Sequence, residues 1–429
     1  MKVLMFGWEF PPHISGGLGT ACKGLTKALA GFPDVEVTFV VPKVWGDEDA
    51  EHVQLLDAGK VKVLHRQIQF DDLASKIEYF ELQSELIPYL GTNEFYELSS
   101  RFTHGNERLA EVTEDGTFMF SGEYGHSLFQ EIRNYALVAE TLARELAFDV
   151  IHAHDWMTFP AAIAAKKISG NPLVVHLHST EFDRCPAGPN TAIQAVEKEG
   201  MLEADAIAAV SNLTKNIIVN EYQIDSEKIT TVYNAIDPLG MPIQTRKLKR
   251  KTKTVTFMGR ITAQKGPGFF VEAANLVLQR FPEVKFVMAG KGDLRELMIS
   301  RARELGIGNR ISFPGFIPDE DIAELFAHTD VFVMPSVSEP FGIVALEAIQ
   351  SGVPVILSKQ SGVSEVVKNA LKVDYWDIES LADAISRLLT DPPFRNKLRH
   401  IAIKEIRQLN WSGSAEMLVG IYKNLCPKG

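Results

Sequence analysis

The first α/β unit of the chain lies in residues 1–29, which read MKVLMFGWEFPPHISGGLGTACKGLTKAL. The apolar run 3–6 predicts a buried strand, the glycine-rich stretch 15–19 predicts a turn, and the apolar residues that follow recur at the helical period. A second apolar run, at 35–41, predicts the next strand. This order of strand, turn, helix and strand is typical of a parallel sheet with helices on its faces.

The same alternation continues along the chain and is interrupted once. Further strands are predicted at 149–153, 172–177, 205–210 and 229–232, and after the interruption at 254–258, 285–289, 331–334 and 353–357. The interruption is rich in proline and glycine and ends in a basic run at 246–253, which favours a solvated linker over a patch that binds a polyanion. We therefore predict an α/β protein of two Rossmann-like domains, 1–236 and 254–410, joined by a linker at 237–253.

Two further segments lie outside this alternation. Residues 411–425 form an amphipathic pattern, so the C-terminal segment 411–429 either closes the second domain or packs back on the first. Residues 45–124 are polar with scattered aromatic residues and no sustained period. Because such a length is unusual for a bare loop, we predict an insertion in the first domain with small elements of its own.

Composition excludes several classes of partner. The 429 residues include 44 Lys plus Arg and 55 Asp plus Glu, which gives a formal charge of −11. A net negative charge of this size disfavours binding to nucleic acid or to an anionic membrane. Cys22, Cys185 and Cys426 are far apart and have no metal-ligand spacing, which indicates a reducing compartment. The N-terminal apolar run is too short for a signal peptide or a membrane span. We expect a cytoplasmic protein that binds neither nucleic acid nor membrane.

The glycine-rich turn is the first candidate for a ligand site. Gly16 and Gly17 would let the backbone approach a ligand closely, and the N-terminus of the following helix offers N–H groups to a phosphate. The spacing is not G-x-G-x-x-G, which argues against a dinucleotide site. A tight turn without a ligand is the alternative.

Four histidines mark the ends of two predicted strands. His152 and His154 close one strand and His176 and His178 close the next, and alternation sends each pair to one face of the sheet. The carboxyl ends of parallel strands line ligand sites in such sheets, so polar residues that face a substrate are favoured here. Buried structural histidines are the alternative. A zinc site lacks support because no third ligand stands at a fixed offset.

Two cations follow the first strand of the second domain. Arg260 and Lys265 stand five residues apart on a loop that leads into a helix. Such a pair can neutralise a diphosphate without a metal ion. A solvated loop would also accommodate both side chains.

Two glutamates flank the start of a later helix. Pro340 predicts the first turn of that helix, so Glu339 lies at its mouth, where capping is the simplest role. Glu347 comes eight residues later, about 80° beyond two full turns and about 12 Å along the axis, so the two carboxylates cannot form a close glycosidase pair. They could hold opposite ends of one elongated ligand. The residues between them would present backbone N–H groups to it: Phe341, Gly342, Ile343 and Val344.

These motifs, in this order and strand context, resemble the retaining GT-B glycosyltransferases, in particular the group of glycogen and starch synthases and their sucrose-synthase-like relatives. The motifs are the Gly-Gly-Leu turn, His-Ala-His-Asp-Trp at 152–156, the two cations and the E-x7-E glutamates. The resemblance covers nearly the whole chain except 45–124. It implies two Rossmann-like domains that face each other across a cleft, with an acceptor held mainly by the first domain and a nucleotide-sugar mainly by the second.

The resemblance also implies a role for each motif residue. Arg260 and Lys265 would neutralise the donor diphosphate, Glu339 would contact the sugar hydroxyls and Glu347 the ribose. In the first domain, Gly16 and Gly17 would bind phosphate through the backbone. His178 would support the transferred sugar, and Asp155 would stand beside the glucosyl and acceptor groups.

The leading hypothesis is therefore a retaining hexosyltransferase that moves glucose from ADP- or UDP-glucose to an α-glucan such as glycogen, with neither a metal ion nor a cofactor. Bacterial glycogen synthases that use ADP-glucose carry a lysine two residues before Gly-Gly, where this chain has Ile14. Two alternatives remain. One is a transferase that acts on a small or lipid-linked acceptor, and the other is an inert protein of the same fold that binds a nucleotide-sugar or a glucan.

Overall fold

The computed structural model describes residues 1–14, 16–63, 113, 115–122, 124–125, 127–186, 188–237 and 252–427. The chain divides into two compact units. The first unit consists of Met1–Glu181, Pro189–Ala235 and Trp411–Gly429, and the second of Phe182–Gly188 and Ile236–Asn410.

The first unit is built on a seven-stranded sheet in the order β3-β2-β1-β4-β5-β6-β7, with every neighbouring pair parallel. The strands are β1 Lys2–Phe6, β2 Glu36–Val41, β3 Gln54–Asp57, β4 Val150–His154, β5 Leu173–Leu177, β6 Ala206–Ala209 and β7 Ile229–Thr231. Every residue of β4 and β5 is buried, as expected for central strands covered on both faces. The six strands that the sequence predicts here are confirmed, with ends that differ by at most one residue.

The second unit contains a six-stranded parallel sheet in the order β10-β9-β8-β11-β12-β13. The strands are β8 Thr254–Met258, β9 Lys285–Ala289, β10 Ile311–Gly315, β11 Val331–Met334, β12 Val355–Ser358 and β13 Leu371–Val373. Both sheets share the strand order 3-2-1-4-5-6 of the Rossmann fold, which places ligand sites at the carboxyl ends of the strands. In the core of the second unit, Phe270 contacts Phe257 and Phe286, with ring centroids 5.7 Å apart in both pairs.

Helices connect the strands on both faces of the sheets. In the described residues they are α1 Gly17–Leu29, α2 Leu128–Glu145, α3 Phe159–Ser169, α4 Glu181–Arg184, α5 Thr191–Glu203, α6 Asn212–Glu221, α7 Pro267–Arg280, α8 Arg295–Glu304, α9 Asp319–Ala327, α10 Ile343–Gln350, α11 Val363–Val366, α12 Ile378–Thr390, α13 Pro392–Ile406 and α14 Trp411–Leu425. No helix in this part of the chain combines the length and the apolar composition needed to cross a bilayer.

The C-terminal helix α14 packs on α1 in the first unit, which decides between its two predicted places. The indole of Trp411 lies so close to Gly24 of α1 that a Cβ added there would be 2.3 Å from the Trp411 Cε2 atom. At the other end of α14, the hydroxyl of Tyr422 hydrogen-bonds His152 Nδ1 on β4. The last helix therefore completes the core of the first unit.

One strand of the main sheet lies within residues 45–124, the segment predicted as an insertion. Strand β3 lies inside that range, yet it pairs in parallel with β2 and forms an edge of the main sheet. Its residues are only partly buried, so they lack the continuous apolar run of a central strand. The same reason applies to β10 and β13, the two edge strands that the sequence analysis missed. Residues 64–112 of the predicted insertion and 238–251 of the predicted linker lie outside the described residues.

Candidate functional site

The ends of β4 and β5 bring four histidine rings into one cluster. His152 and His154 lie in β4, His176 lies in β5, and His178 follows β5 directly. The centroids of contacting rings are 4.4–5.4 Å apart. The prediction that alternation sends each pair to one face of the sheet is therefore confirmed, and the parallel register joins the two pairs.

Burial keeps the rings of this cluster neutral. It lowers the pKa of all four histidines, that of His178 to about 3. His154 Nδ1 and His178 Nε2 share a hydrogen bond of 2.9 Å. His152, His154 and His176 are fully buried, so the structural alternative applies to these three, and only His178 keeps some exposure to solvent.

Asp155 connects the ends of the two strands. Its Oδ1 accepts hydrogen bonds from the backbone N–H of His178 at 2.6 Å and of Ser179 at 3.4 Å. The residue is buried and has a φ of 58°, a conformation that is uncommon outside glycine and costs energy. The structure thus brings together two of the predicted site residues, and Asp155 holds the backbone that carries the His178 ring.

The glycine-rich turn leads into the N-terminus of α1. Gly16 is the N-cap residue and has no side chain to cap the helix, and Gly16 and Gly17 are both exposed. The N–H of Gly19 donates to Oε1 of the buried Glu9 at 3.3 Å. A Cβ on Gly19 would lie 2.3 Å from Ile14 Cγ2, so this glycine is needed for packing. The sequence analysis missed Glu9, because nothing in its local pattern marks a carboxylate at a helix N-terminus.

In the second unit, the loop between β8 and α7 carries the two predicted cations. The Lys265 Nζ donates to both carboxylate oxygens of Glu339, at 2.8 and 2.7 Å. Ser336 Oγ donates to the same carboxylate at 3.1 Å. Arg260 Nη2 donates to Gln264 Oε1 at 3.3 Å. Lys265 and Glu339 are thus joined across 74 residues of sequence.

Glycines let the backbone pack closely around this loop. A Cβ on Gly266 would lie 2.1 Å from the carbonyl oxygen of Pro335. The turn after β9 packs against the same loop, because a Cβ on Gly290 would lie 1.8 Å from the carbonyl oxygen of Gly259. That turn also carries Asp293, whose pKa is raised by burial and lowered in part by the Arg260 guanidinium. The sequence analysis missed this acidic neighbour, although Gly-Lys-Gly-Asp directly after a strand was a signal for it.

Glu339 lies in an extended segment rather than in the first turn of a helix. Its backbone N–H donates to the backbone carbonyl of Gln360 at 2.9 Å, and its own carbonyl accepts from the Gly362 N–H at 2.9 Å. Helix α10 begins only at Ile343, after Gly342 with a φ of 103°. The prediction that Pro340 starts the helix was wrong, because pairing with the segment after β12 holds this stretch extended.

Glu347 lies on α10, and part of the residue is exposed to solvent although its carboxyl group is buried. Burial of its carboxyl group, with a smaller contribution from the negative charge of Asp319, raises its pKa from 4.5 to about 7. The predicted backbone donors differ in exposure: Phe341 and Gly342 are buried, and Ile343 and Val344, in the first turn of α10, are partly exposed.

Two families match this chain, one in each half. Residues 105–238 match Glycosyltransferase Family 4, and residues 243–405 match Glycosyl transferases group 1. Among similar proteins, an uncharacterized glycosyltransferase of Methanocaldococcus jannaschii is 28% identical, with 99% of this chain and 98% of the relative covered. The glycogen synthase of Mycobacterium tuberculosis is 26% identical over 98% of this chain and 94% of its own length.

Among solved structures, the sucrose-phosphate synthase of Thermosynechococcus elongatus superposes with a TM-score of 0.72 at 18% identity, covering 99% of this chain and 98% of the other. The two Rossmann-like units and this superposition show that the chain has the fold of the GT-B class. Within that class, the two family matches cover separate parts of the chain, and both are to glycosyltransferases.

Proposed function

We propose that this protein is a retaining glucosyltransferase that extends an α-glucan such as glycogen from ADP- or UDP-glucose. The observation that carries the proposal is the Lys265–Glu339 pair, which places a cation and a carboxylate side by side at the strand ends of the second unit. A nucleotide-sugar presents a diphosphate next to sugar hydroxyls, so it requires these two kinds of group as neighbours. The glycogen synthase likeness supports the acceptor.

The second unit would hold the donor. An ammonium group has three N–H donors, and Glu339 occupies two of those of Lys265, which leaves one for the diphosphate. Arg260 would add the second positive charge. Glu339, fixed by Lys265 and Ser336, would accept hydrogen bonds from the sugar hydroxyls, and Glu347 would accept them from the ribose. The residues of the α10 N-terminus, Phe341 to Val344, would offer backbone N–H groups to the same ligand.

The first unit would supply the acceptor side. His178 is neutral and partly exposed, and its backbone or ring would support the transferred sugar without adding charge. Asp155 would act by holding the His178 backbone in place. Gly16 and Gly17 would offer backbone N–H groups of the α1 N-terminus to a donor phosphate.

The reaction would need charge stabilisation more than a strong base. The bond between the anomeric carbon and the phosphate oxygen breaks, the acceptor oxygen bonds to the same face of the sugar, and the acceptor proton leaves with the nucleoside diphosphate. Cations at the diphosphate stabilise the leaving group, and carboxylates near the ring favour the positive charge that develops on the sugar. No metal ion or other cofactor is part of this proposal.

The test uses purified full-length protein with ADP-, UDP- or GDP-glucose, with and without glycogen. Release of nucleoside diphosphate that depends on glycogen, together with α-linked product seen by NMR, is the expected result. Absence of release with every donor would contradict the proposal and favour an inert binding protein. Release that depends only on small sugar or sugar-phosphate acceptors would overturn the glucan assignment and leave the transferase assignment in place.

A further inference from the structure

A groove on the surface of the second unit lies between α7 and the start of α12. Its volume of 410 Å³ is within the range of about 300–1,000 Å³ that is usual for ligand pockets. The residues that line it include Glu272, Asn275, Leu276, Trp376, Asp377 and Glu379. Among the described residues, this groove and the proposed donor site have none in common, so the groove is a separate feature of the unit.

The indole of Trp376 is the apolar wall of the groove. The residue is 57% exposed, although tryptophan is mostly buried in folded proteins. The Tyr375 ring meets the indole at 86° with centroids 4.7 Å apart, and Phe269 contacts Tyr375 at 5.1 Å. A perpendicular contact joins the edge of one ring to the face of the other, so at least one face of the indole stays clear of Tyr375. Trp376 is therefore held in place and presents a flat apolar surface to solvent.

Polar groups lie beside this surface. Asn275 is partly exposed, and its side-chain amide makes no hydrogen bond among the described residues. The amide offers both donors and an acceptor, which is what a hydroxyl group requires of a partner. Glu379 is exposed and adds a carboxylate acceptor. The groove thus combines an apolar platform with groups that bind hydroxyls.

The charges of the groove favour a neutral ligand. An anion would meet only carboxylates, because no lysine or arginine lines the groove among the described residues. The Glu272 carboxylate already accepts a hydrogen bond from Arg301 Nε at 2.6 Å. The Asp377 carboxylate caps α12 and accepts from the Ser380 N–H at 3.0 Å. We propose that the groove binds a carbohydrate chain, with the apolar face of one sugar ring on Trp376.

The carbohydrate is an α-glucan, the acceptor of the proposed function. This choice rests on the proposed function, whereas the platform and its polar groups do not. Helix α7 begins directly after the loop of Lys265, and Phe269, Glu272 and Leu276 recur along one of its faces. The groove therefore lies on the helix that starts at the donor loop. A polymer held there would stay near the donor site between transfers, because its second contact is intramolecular.

The fluorescence of Trp376 measures occupancy of the groove in the full-length protein without a donor. Of the five tryptophans, Trp8, Trp156 and Trp411 are buried, and only Trp45 and Trp376 are exposed. In Trp45→Phe, the indole that is accessible to the quencher acrylamide is therefore that of Trp376. We expect maltoheptaose to shield it, so that quenching falls to the level of the buried tryptophans when the sugar saturates.

Further variants test which side chains bind the sugar. In the protein that keeps Trp45, Trp376→Phe should remove the change in quenching that maltoheptaose causes. Combined with Trp45→Phe, Asn275→Ala should raise the maltoheptaose concentration needed for half-shielding by about two- to tenfold, as expected for a lost hydrogen bond. Gln279→Ala, at an exposed amide on the same helix outside the groove, should not raise it. Equal effects of the two amide substitutions would contradict the site.

Tetralysine tests for a cationic ligand in the same assay. Shielding of Trp376 by tetralysine but not by maltoheptaose, or by neither, would overturn the proposal. The result is separable from the proposed function. A protein that is shielded but releases no nucleoside diphosphate would keep the carbohydrate groove and lose the transferase assignment, and release without shielding would do the opposite.

Discussion

The Nζ of Lys265 donates to both carboxylate oxygens of Glu339, at 2.8 and 2.7 Å, and both side chains are largely shielded from solvent. Sequence analysis gave the two residues separate roles at a donor ligand. The pairing changes that expectation, because removing one partner of a shielded ion pair leaves the other charge uncompensated.

We predict that Lys265→Met and Glu339→Gln are coupled in stability. Each single substitution should lower the free energy of unfolding by about 3 kcal/mol, and the double variant should lose less than the sum of the two. Urea denaturation of all four proteins measures the coupling. The exposed pair Arg280 and Asp383 serves as control, since such surface pairs contribute only about 0–1 kcal/mol. Equal coupling in the two pairs would show that shielding of Lys265 and Glu339 has no energetic effect.

We predict that Arg260→Ala reduces kcat/KM about 10²–10³-fold, as expected when a preorganised group that stabilises developing charge is removed. Arg260→Lys should recover part of this loss, because it restores the charge without the planar guanidinium. Initial rates of nucleoside diphosphate release measure both. Arg303→Ala, an exposed arginine in the last turn of α8, should leave the rate unchanged. A rate close to normal in Arg260→Ala would remove this residue from the donor site.

We predict that Glu347 makes a contribution to the stability of the ligand-free protein that falls as pH rises from about 5 to 7. This contribution is opposite in sign to that of the four buried histidines, whose lowered pKa makes stability rise with pH. The pKa of Glu347 is about 7 in the folded protein and near 4.5 when unfolded, so the folded state binds more protons across this range. The full loss is about 3 kcal/mol, reached above pH 7. Urea denaturation at several pH values measures the slope of stability against pH, and Glu347→Gln should remove the falling contribution from that slope. The exposed Glu304, changed to Gln, should not. An unchanged slope in Glu347→Gln would assign the pH dependence to other groups.

We predict that Gly266→Ala destabilises the second unit more than Gly306→Ala does. Both glycines have a positive φ, of 67° and 73°, so both substitutions carry the backbone cost of about 1–2 kcal/mol. Only at Gly266 does an added Cβ meet another atom, the Pro335 oxygen at 2.1 Å, whereas nothing lies within 4 Å at Gly306. The difference in unfolding free energy between the two variants therefore measures the close approach alone. Equal losses would show that the loop moves to accept a side chain.

The central strands could be predicted from the sequence, and three edge strands could not. Strand β4 is buried along its whole length, so it appears in the sequence as an apolar run that needs no knowledge of its neighbours. Strands β3, β10 and β13 are short or partly exposed, and only their pairing with β2, β9 and β12 makes them strands. The start of α10 was misplaced for a similar reason, since the extended conformation of Glu339 depends on pairing with a distant segment.

The sequence by itself determined the α/β class, the two-domain organisation and the positions of the strand-end motifs, because burial on two faces and glycine-rich turns leave a local pattern. Only the tertiary structure decided which side chains meet. It joined Lys265 to Glu339, bonded Asp155 to the backbone of His178, and brought Cys22 to the histidine cluster. Such contacts depend on the register of parallel strands and the packing of helices over them, and no local pattern of residues records either.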